Sequence, residues 1–350
     1  MKTLTKSLTI VDIAKMAGVS QRTVSGILND NIKVTPETRQ RVLEVIKENK
    51  FSPNVSARHL RSRNTDTSRK NAIGLVFSEA IGGSTGIRSE FFSQIFGRAI
   101  REARNSKLKF FMDLIPNEYS EAMDVPAMIA DNSVSGLIAV GWVPENFIEQ
   151  LLRLQVPLVS VQGDYNKEGV SQVVIDEFKG AYELVSHMIR AGHRRIALLD
   201  MKNFWCYRKD KLNGYKKALE DNGIAFDEKL AVAGAYSDSG TVPPLAEILL
   251  AEKPTAIFAA DDGVALKIQE TMEAKGLKVP DDISVAGFDN TQDSVKMKPA
   301  LTTVEVFFDE IGKIAVKKLN ELINHQSDIS TKTVVQPKLV IRDSVKIIKL

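Results

Sequence analysis

Apolar residues follow two different spacings along this chain. In the first 48 residues they recur every three or four positions, which predicts short helices with one apolar face. From residue 72 onward, short apolar runs alternate with amphipathic segments of 10–15 residues, typical of buried parallel strands separated by helices. Two successive series of about five or six such units follow. The pattern therefore predicts a small all-α head and an α/β body of two doubly wound parallel-sheet subdomains.

The head contains three predicted helices in the order of a helix-turn-helix unit. Gly18 ends the first helix, and Ser20 follows almost at once as the N-cap of the second. Thr35 and Pro36 begin the third helix. Two short helices joined by a glycine-containing turn are typical of helix-turn-helix modules. The alternative is an αα-corner with a polar, solvated face.

Charge favours a polyanionic partner for the head. Residues 1–70 hold 14 lysines and arginines against 6 aspartates and glutamates, whereas residues 71–350 hold 33 against 38. In a helix-turn-helix the second helix enters the major groove, where glutamine pairs with adenine and arginine with guanine. We expect its residues to face the DNA: Ser20, Gln21, Arg22, Thr23, Ser25 and Gly26. Phosphate contacts are expected from Thr9, Ser20, Asn29, Thr35 and Arg39.

Two groups of motifs resemble the lactose/galactose repressor family. In the head the match is "TIVDIAKMAGVSQRTVSGILND" followed by "VTPETRQRVLEVIKENKFSPNVSARHLR". In the body it is "GHRRIALL", "GYKKALEDNGI", "PTAIFAADD", "VPDDISVAGFDN" and "PALTTV". The resemblance implies a type I periplasmic-binding-protein-like body. It also implies a homodimeric repressor that binds pseudo-palindromic operator DNA under the control of a small effector, a sugar or sugar derivative.

Gly26 departs from the family pattern. It stands where the family usually has an arginine that reads a base pair, and glycine within a helix costs about 1 kcal/mol relative to alanine. Two interpretations stay open at this point. Either the missing side chain lets the backbone approach the groove more closely, or the base pair at this position is not read. In both cases base selection depends more heavily on Gln21 and Arg22.

Residues 54–70 are predicted to form a hinge. The segment "NVSARHL" makes one to two helical turns, too short to be stable alone. The resemblance implies that this helix orders on operator DNA, with Leu60 as an apolar wedge between base steps and Ala57 facing the partner's hinge. Asn54 and Arg58 are further expected DNA contacts. A plain flexible linker is the alternative.

The resemblance also implies which residues bind the effector. They are Phe91, Gln162, Lys211, Tyr236, Asp261, Asp289 and Phe308. Each has a structural alternative: Asp261 and Asp262 as helix caps, Lys211 as a solvated helix residue, Tyr236 as core packing.

The predicted boundaries divide the chain into four parts. They are a helix-turn-helix domain at 1–53, the hinge at 54–70, a first subdomain at 71–163 plus about 305–325, and a second subdomain at 164–290 plus about 326–345.

Composition argues against other classes of protein. The four histidines are scattered and Cys206 is the only cysteine, so we expect no disulfide, no bound metal, no cofactor and no catalytic machinery. No apolar run resembles a signal peptide or a membrane span, which predicts a cytoplasmic protein. Three alternatives remain: a cytoplasmic sugar-binding protein, an α/β enzyme with an accessory head, and a regulator controlled by a protein partner.

Overall fold

The computed structural model forms two compact units, Met1–Thr67 and Ser68–Leu350. The residues it describes are 10–28, 32–48, 71–79, 90–120, 123–163, 165, 167–202, 207–235, 242–324 and 329–348. Each unit is treated below by itself. Within these ranges, no helix combines the length and the apolar character that crossing a membrane requires.

The first unit is a helix-turn-helix. Its helices are α1 (Ile10–Met16), α2 (Gln21–Leu28) and α3 (Pro36–Glu48). Gly18 takes the left-handed conformation, with φ of +64°, in the turn between α1 and α2, as expected for a glycine there. The three helices share a small buried core made of Ile13, Ala14, Ala17, Val24, Ile27 and Val42. The predicted all-α head is confirmed.

The second unit alternates strands and helices, as its apolar pattern predicts. Its strands are β1 (Ala72–Ser78), β2 (Lys109–Ile115), β3 (Leu137–Val140), β4 (Leu158–Val161), β5 (Ser171–Ile175), β6 (Ile196–Lys202), β7 (Ala231–Ala235), β8 (Ala256–Ala259), β9 (Ser284–Ala286), β10 (Thr303–Glu305), β11 (Lys332–Val335) and β12 (Lys338–Val340). Its α-helices are α4 (Glu90–Asn105), α5 (Ala127–Ala130), α6 (Glu145–Arg153), α7 (Glu177–Arg190), α8 (Tyr207–Asp221), α9 (Val242–Ala251), α10 (Asp262–Ala274), α11 (Gln292–Lys296) and α12 (Phe308–Ile323).

Over the described residues, the strands form two parallel sheets and a short ribbon. The first sheet has the order β11-β5-β4-β3-β1-β2 and the second the order β7-β6-β8-β9. All pairings within these two sheets are parallel, whereas β10 and β12 pair antiparallel. Parallel strands of one sheet end at the same edge, so each sheet gathers the residues that follow its strands.

The sheets correct the predicted subdomain boundaries. Strands β5 and β11 were assigned by sequence to the second subdomain, yet β5 pairs with β4 and β11 pairs with β5 in the first sheet. The first sheet therefore extends to Ile175 rather than ending at 163. Apolar spacing identifies a strand but does not specify its neighbours, which explains the error.

One apolar cluster runs through both sheets of the body. It includes Val159 of the first sheet, Leu198 of the second, and Leu184 of α7, which follows β5 directly. Helix α7 packs against α8 and against β10 and β12. Helix α12 packs on α4 and on the first sheet, as the predicted return of the chain near 305–325 requires. The sheets are thus joined by buried apolar contacts as well as by the chain.

Candidate functional site

The outward side of α2 carries the side chains predicted to read bases. Gln21 and Arg22 are exposed in the first turn of this helix. Ser20 caps the helix, since its hydroxyl accepts a hydrogen bond of 3.0 Å from the Thr23 amide and lies 2.8 Å from the Thr23 hydroxyl. This capping fixes the first turn and leaves the two longer side chains facing outward.

The remaining described head residues lie nearby. Ser25 is half-buried on α2, and Arg39 is half-buried on α3. Thr35 caps α3 by accepting a hydrogen bond of 3.3 Å from the Thr38 amide. The predicted contacts that lie outside the described residues are Thr9, Asn29, Asn54, Ala57, Arg58 and Leu60.

Gly26 is buried, which neither interpretation from the sequence foresaw. A Cβ atom on residue 26 would lie 2.5 Å from Cγ2 and 2.6 Å from Cβ of Ile32. Ile32 follows α2 in the chain and also packs against the apolar core of the head. Position 26 is therefore a glycine because the Ile32 side chain fills the space that its side chain would need.

In the body, polar residues collect where the strands of both sheets end. Ser78 ends β1, Gln162 follows β4, and Glu177 begins α7 after β5. In the second sheet Asp261 follows β8 and Asp289 follows β9. A ligand between the subdomains of such a fold meets these edges of both sheets.

Lys211, on α8, occupies the centre of a buried group of charges. Its side chain is 13% exposed, and Nζ lies 3.8 Å from Oε1 of Glu177. Nζ also donates a 2.9 Å hydrogen bond to the carbonyl of Ala260 and lies 4.3 Å from the centre of the Phe288 ring. Protein groups thus bind the Lys211 ammonium group. The alternative from the sequence, that Lys211 is a solvated helix residue, is therefore wrong.

The surroundings of Lys211 keep it charged. Burial acts to lower its pKa, but nearby carboxylates outweigh burial and raise the pKa above its usual value. These carboxylates belong to Glu177, Asp289, Asp200 and Asp261, in decreasing order of effect. The sequence does not single out Glu177 and Asp200, because an acid at the start of a helix and an acid near the end of a strand are both common.

Close helix packing brings Glu177 and Lys211 together. A Cβ on Gly214 of α8 would collide with the carbonyl of Phe178 on α7, so only glycine allows the two helices to approach so closely. Asp176 caps α7 by accepting a 3.0 Å hydrogen bond from the Lys179 amide. Burial raises the pKa of Glu177 to about 7, although Lys211 acts in the opposite direction.

The adjacent acids Asp261 and Asp262 have different contacts. Asp261 caps α10 by accepting a 2.7 Å hydrogen bond from the Val264 amide. Asp262 is buried and accepts hydrogen bonds from the amide and hydroxyl of Thr291 and from the hydroxyl of Thr303. Burial raises the pKa of Asp262 to about 7. Asp262 therefore ties α10 to the segment that follows β9.

Asp289 is 7% exposed and has an unusual backbone, with φ of +104°. Its amide donates a 2.8 Å hydrogen bond to the carbonyl of Val304, which fixes this conformation. Burial, with further contributions from neighbouring acids, raises the pKa of Asp289 well above its ordinary value, against the opposing effect of Lys211. A strained backbone that holds a buried acid at a strand end is typical of a functional site.

Several buried polar atoms in this region have unused hydrogen-bonding capacity. Within the described residues, the hydroxyl of Ser78, Nε2 of Gln162 and Oε2 of Glu177 have no hydrogen-bond partner. The other end of the Gln162 amide is used, since Oε1 accepts a 2.8 Å hydrogen bond from the Ile175 amide. Ser78 could not be identified from the sequence, because it is one serine at the end of an apolar strand.

The other predicted effector residues are placed as follows. Phe308 begins α12 and is buried in the apolar cluster that spans both sheets. Phe91 is the second residue of α4. Tyr236 lies outside the described residues. Among the described residues, no group of three or more histidine, cysteine, aspartate or glutamate side chains is arranged to hold a metal ion.

His193 has a structural role. It is fully buried, Nδ1 lies 3.0 Å from the hydroxyl of Thr255, and Nε2 lies 3.2 Å from the carbonyl of Lys346. Burial lowers its pKa. These contacts tie the end of α7 to the second sheet and to the C-terminal segment.

The raised pKa of Glu177 predicts a pH dependence of stability. The folded protein holds this proton more tightly than the unfolded chain, so its contribution to stability is complete below pH 4.5 and is lost as the pH rises through about 7. We expect the free energy of unfolding of the wild type to fall in this window relative to Glu177→Gln, by up to about 1.4 kcal/mol per pH unit. Urea unfolding at several pH values measures the difference. Equal pH profiles for the two proteins would contradict the assignment.

Two family models match this chain. One is that of the bacterial regulatory proteins of the lacI family, over residues 9–54, and the other is that of the periplasmic-binding-protein-like domain, over residues 185–345. The first covers the helix-turn-helix unit. The second covers the part of the body that contains Lys211, Asp261 and Asp289.

Relatives match over nearly the whole chain. The transcriptional regulator DegA of Bacillus subtilis is 30% identical over 96% of this chain and 97% of its own length. Catabolite control protein A of Priestia megaterium is 30% identical over 97% of this chain and 100% of its own. The crystal structure of the lac repressor dimer bound to operator and the anti-inducer ONPF is 26% identical, with a TM-score of 0.67, and covers 97% of this chain and 100% of its own. The chain therefore belongs to the lacI family of bacterial regulatory proteins and is a DNA-binding transcription regulator.

Proposed function

We propose that this chain is a homodimeric repressor whose affinity for operator DNA is set by a small, polyhydroxylated effector. The effector, a sugar or sugar derivative, binds where the strand ends of the two body sheets meet. The observation that carries this proposal is the set of buried polar atoms without partners at Ser78, Gln162 and Glu177. Buried polar groups are nearly always hydrogen-bonded, so a ligand rich in hydroxyl groups is a suitable partner for them.

The charges of the site favour hydroxyl donors. Asp289 and Glu177 are buried acids whose oxygens can accept hydrogen bonds, and Lys211 already contacts Ala260 and Phe288. Hydroxyl groups of a sugar donate to such carboxylates. The lac repressor dimer binds an operator and an anti-inducer in one complex, which supports the same combination of ligands here.

The effector acts through linkage between its own site and the DNA. A ligand that contacts Gln162 in one sheet and Asp289 in the other favours one orientation of the two subdomains. We propose that this orientation sets the separation of the two copies of the hinge, residues 54–70, and so the affinity for DNA. The hinge lies outside the described residues, and its role is carried over from the family resemblance.

Operator reading by α2 is tested with Arg22→Ala. Arg22 is exposed in the first turn, where an arginine reads guanine. We expect the variant to lose discrimination at one base pair, by about 5- to 150-fold, in gel shifts with operator variants. Arg39→Ala is the matched control, because a lost phosphate contact weakens binding to all sequences alike and lowers the salt dependence. Unchanged selectivity in Arg22→Ala would refute the assignment.

The proposed dimer surface includes β2. This strand is the edge of the first sheet, and its apolar residues Phe111, Met112 and Leu114 are 38%, 44% and 42% exposed. Parallel sheets are normally covered on both faces, and an exposed apolar edge strand promotes association. A second copy of this chain, required for a two-fold symmetric operator, would cover these side chains.

The dimer prediction is tested with Leu114→Asp. A buried, unpaired charge at the interface should convert the dimer to monomer in analytical ultracentrifugation. Operator affinity should fall by about a hundredfold or more, because two heads no longer bind as one unit. Ile341→Asp, at an exposed isoleucine after β12, is the control and should remain dimeric. A dimeric Leu114→Asp protein would place the interface elsewhere.

The effector site is tested with Asp289→Asn. The change keeps the shape of the side chain but removes the acceptor charge that sugar hydroxyls would use. Neutral pentoses, hexoses and disaccharides are first screened by thermal shift on the wild type. The variant should lose both the shift and the effect of the active sugar on operator binding, while operator binding without sugar is kept. Asp281→Asn, at an exposed acid, should behave as wild type. A normal response in Asp289→Asn would move the site.

A further inference from the structure

Residue 26 lies on the side of α2 that carries the exposed base-reading candidates. Residues four positions apart share one side of a helix, so Gly26 lies one turn beyond Arg22. The buried residues Val24 and Ile27 lie on the opposite side, in the head core. When Arg22 enters the major groove, the surface over residue 26 enters with it.

That surface is made by Ile32. The positions of its Cβ and Cγ2 atoms, 2.6 Å and 2.5 Å from where a Cβ of residue 26 would be, leave no room for any side chain on residue 26. Ile32 is only partly buried, so part of this branched apolar side chain stays exposed. At the middle of α2, the surface is therefore apolar and belongs to Ile32, which lies outside this helix.

We propose that Ile32 is a specificity-determining residue that contacts the operator in place of a side chain on residue 26 and selects thymine through its C5 methyl group. The methyl group is the apolar feature that distinguishes thymine in the major groove. A branched aliphatic side chain has no hydrogen-bonding group with which to select another base. This inference depends on the proposal that α2 reads the operator. It adds that Ile32 contacts a base and that this base is thymine.

The experiment removes only the methyl group. The full-length protein first selects an inverted-repeat duplex from a random library, and each thymine of the selected half-site is then replaced by deoxyuridine in both half-sites. At one thymine we expect this replacement to lower the affinity of the wild type by about fourfold per half-site, because the complex then buries one methyl group less. With Ile32→Ala this loss should disappear, whereas Ile32→Val should keep it. Val34→Ala, which truncates a nearby partly buried side chain to a methyl group, should also keep it.

Folding is controlled by a second variant. Thermal unfolding shows whether Ile32→Ala is folded. If it is not, Gly26→Ala replaces it, because a methyl group on residue 26 must displace Ile32. Alanine also favours the helix over glycine. Gly26→Ala should lose the same methyl dependence. Specific binding with equal methyl dependence in wild type and Ile32→Ala, or with none in the wild type, would overturn this inference alone. Failure to select any duplex would overturn operator reading as well.

Discussion

The burial of the Lys211 charge constrains the whole of the proposed effector site. A buried ammonium group is tolerated only when its charge and its hydrogen bonds are satisfied. The carbonyl of Ala260, the carboxylate of Glu177 and the ring of Phe288 together satisfy the Lys211 ammonium group. These three groups come from the residue after β8, the start of α7 and the beginning of the segment after β9. One side chain on α8 thus fixes the relative positions of three elements.

The same arrangement connects the proposed effector site to the packing of the body. Phe288 lies between Lys211 and α7, where a Cβ on Gly180 would come within 2.8 Å of its ring. Asp289 is the next residue, so any ligand that moves its carboxylate acts directly on this packed group. The raised pKa of Asp289 also means that a hydrogen-bond donor nearby would stabilise its charged form. Charge and packing are thus coupled within a few residues of the proposed effector site.

The sequence predicted elements better than it predicted contacts. The spacing of apolar residues identified the three head helices and most strands and helices of the body, because helical and strand patterns depend on nearby residues. The neighbours of β5 and β11 were wrong, because strand order depends on long-range packing. Family motifs pointed to Lys211 and Asp289 as effector residues, which stays a prediction. They did not point to Ser78 and Glu177, because the unpaired Ser78 hydroxyl and Glu177 Oε2 become visible only once the burial of these atoms is known.

Gly26 shows how a departure from a family pattern can have a structural cause. A glycine within α2 costs about 1 kcal/mol relative to alanine, but burial of an isoleucine side chain contributes about 1.5–3 kcal/mol when it is complete. Partial burial of Ile32 over Gly26 contributes in the opposite direction to this cost. Gly26 and Ile32 therefore form one packed unit, and a change at either residue alters the packing of the other. Where Ile32 contacts the operator as proposed, a side chain on residue 26 also changes the contact that Ile32 makes, which links base reading to the packing of the head.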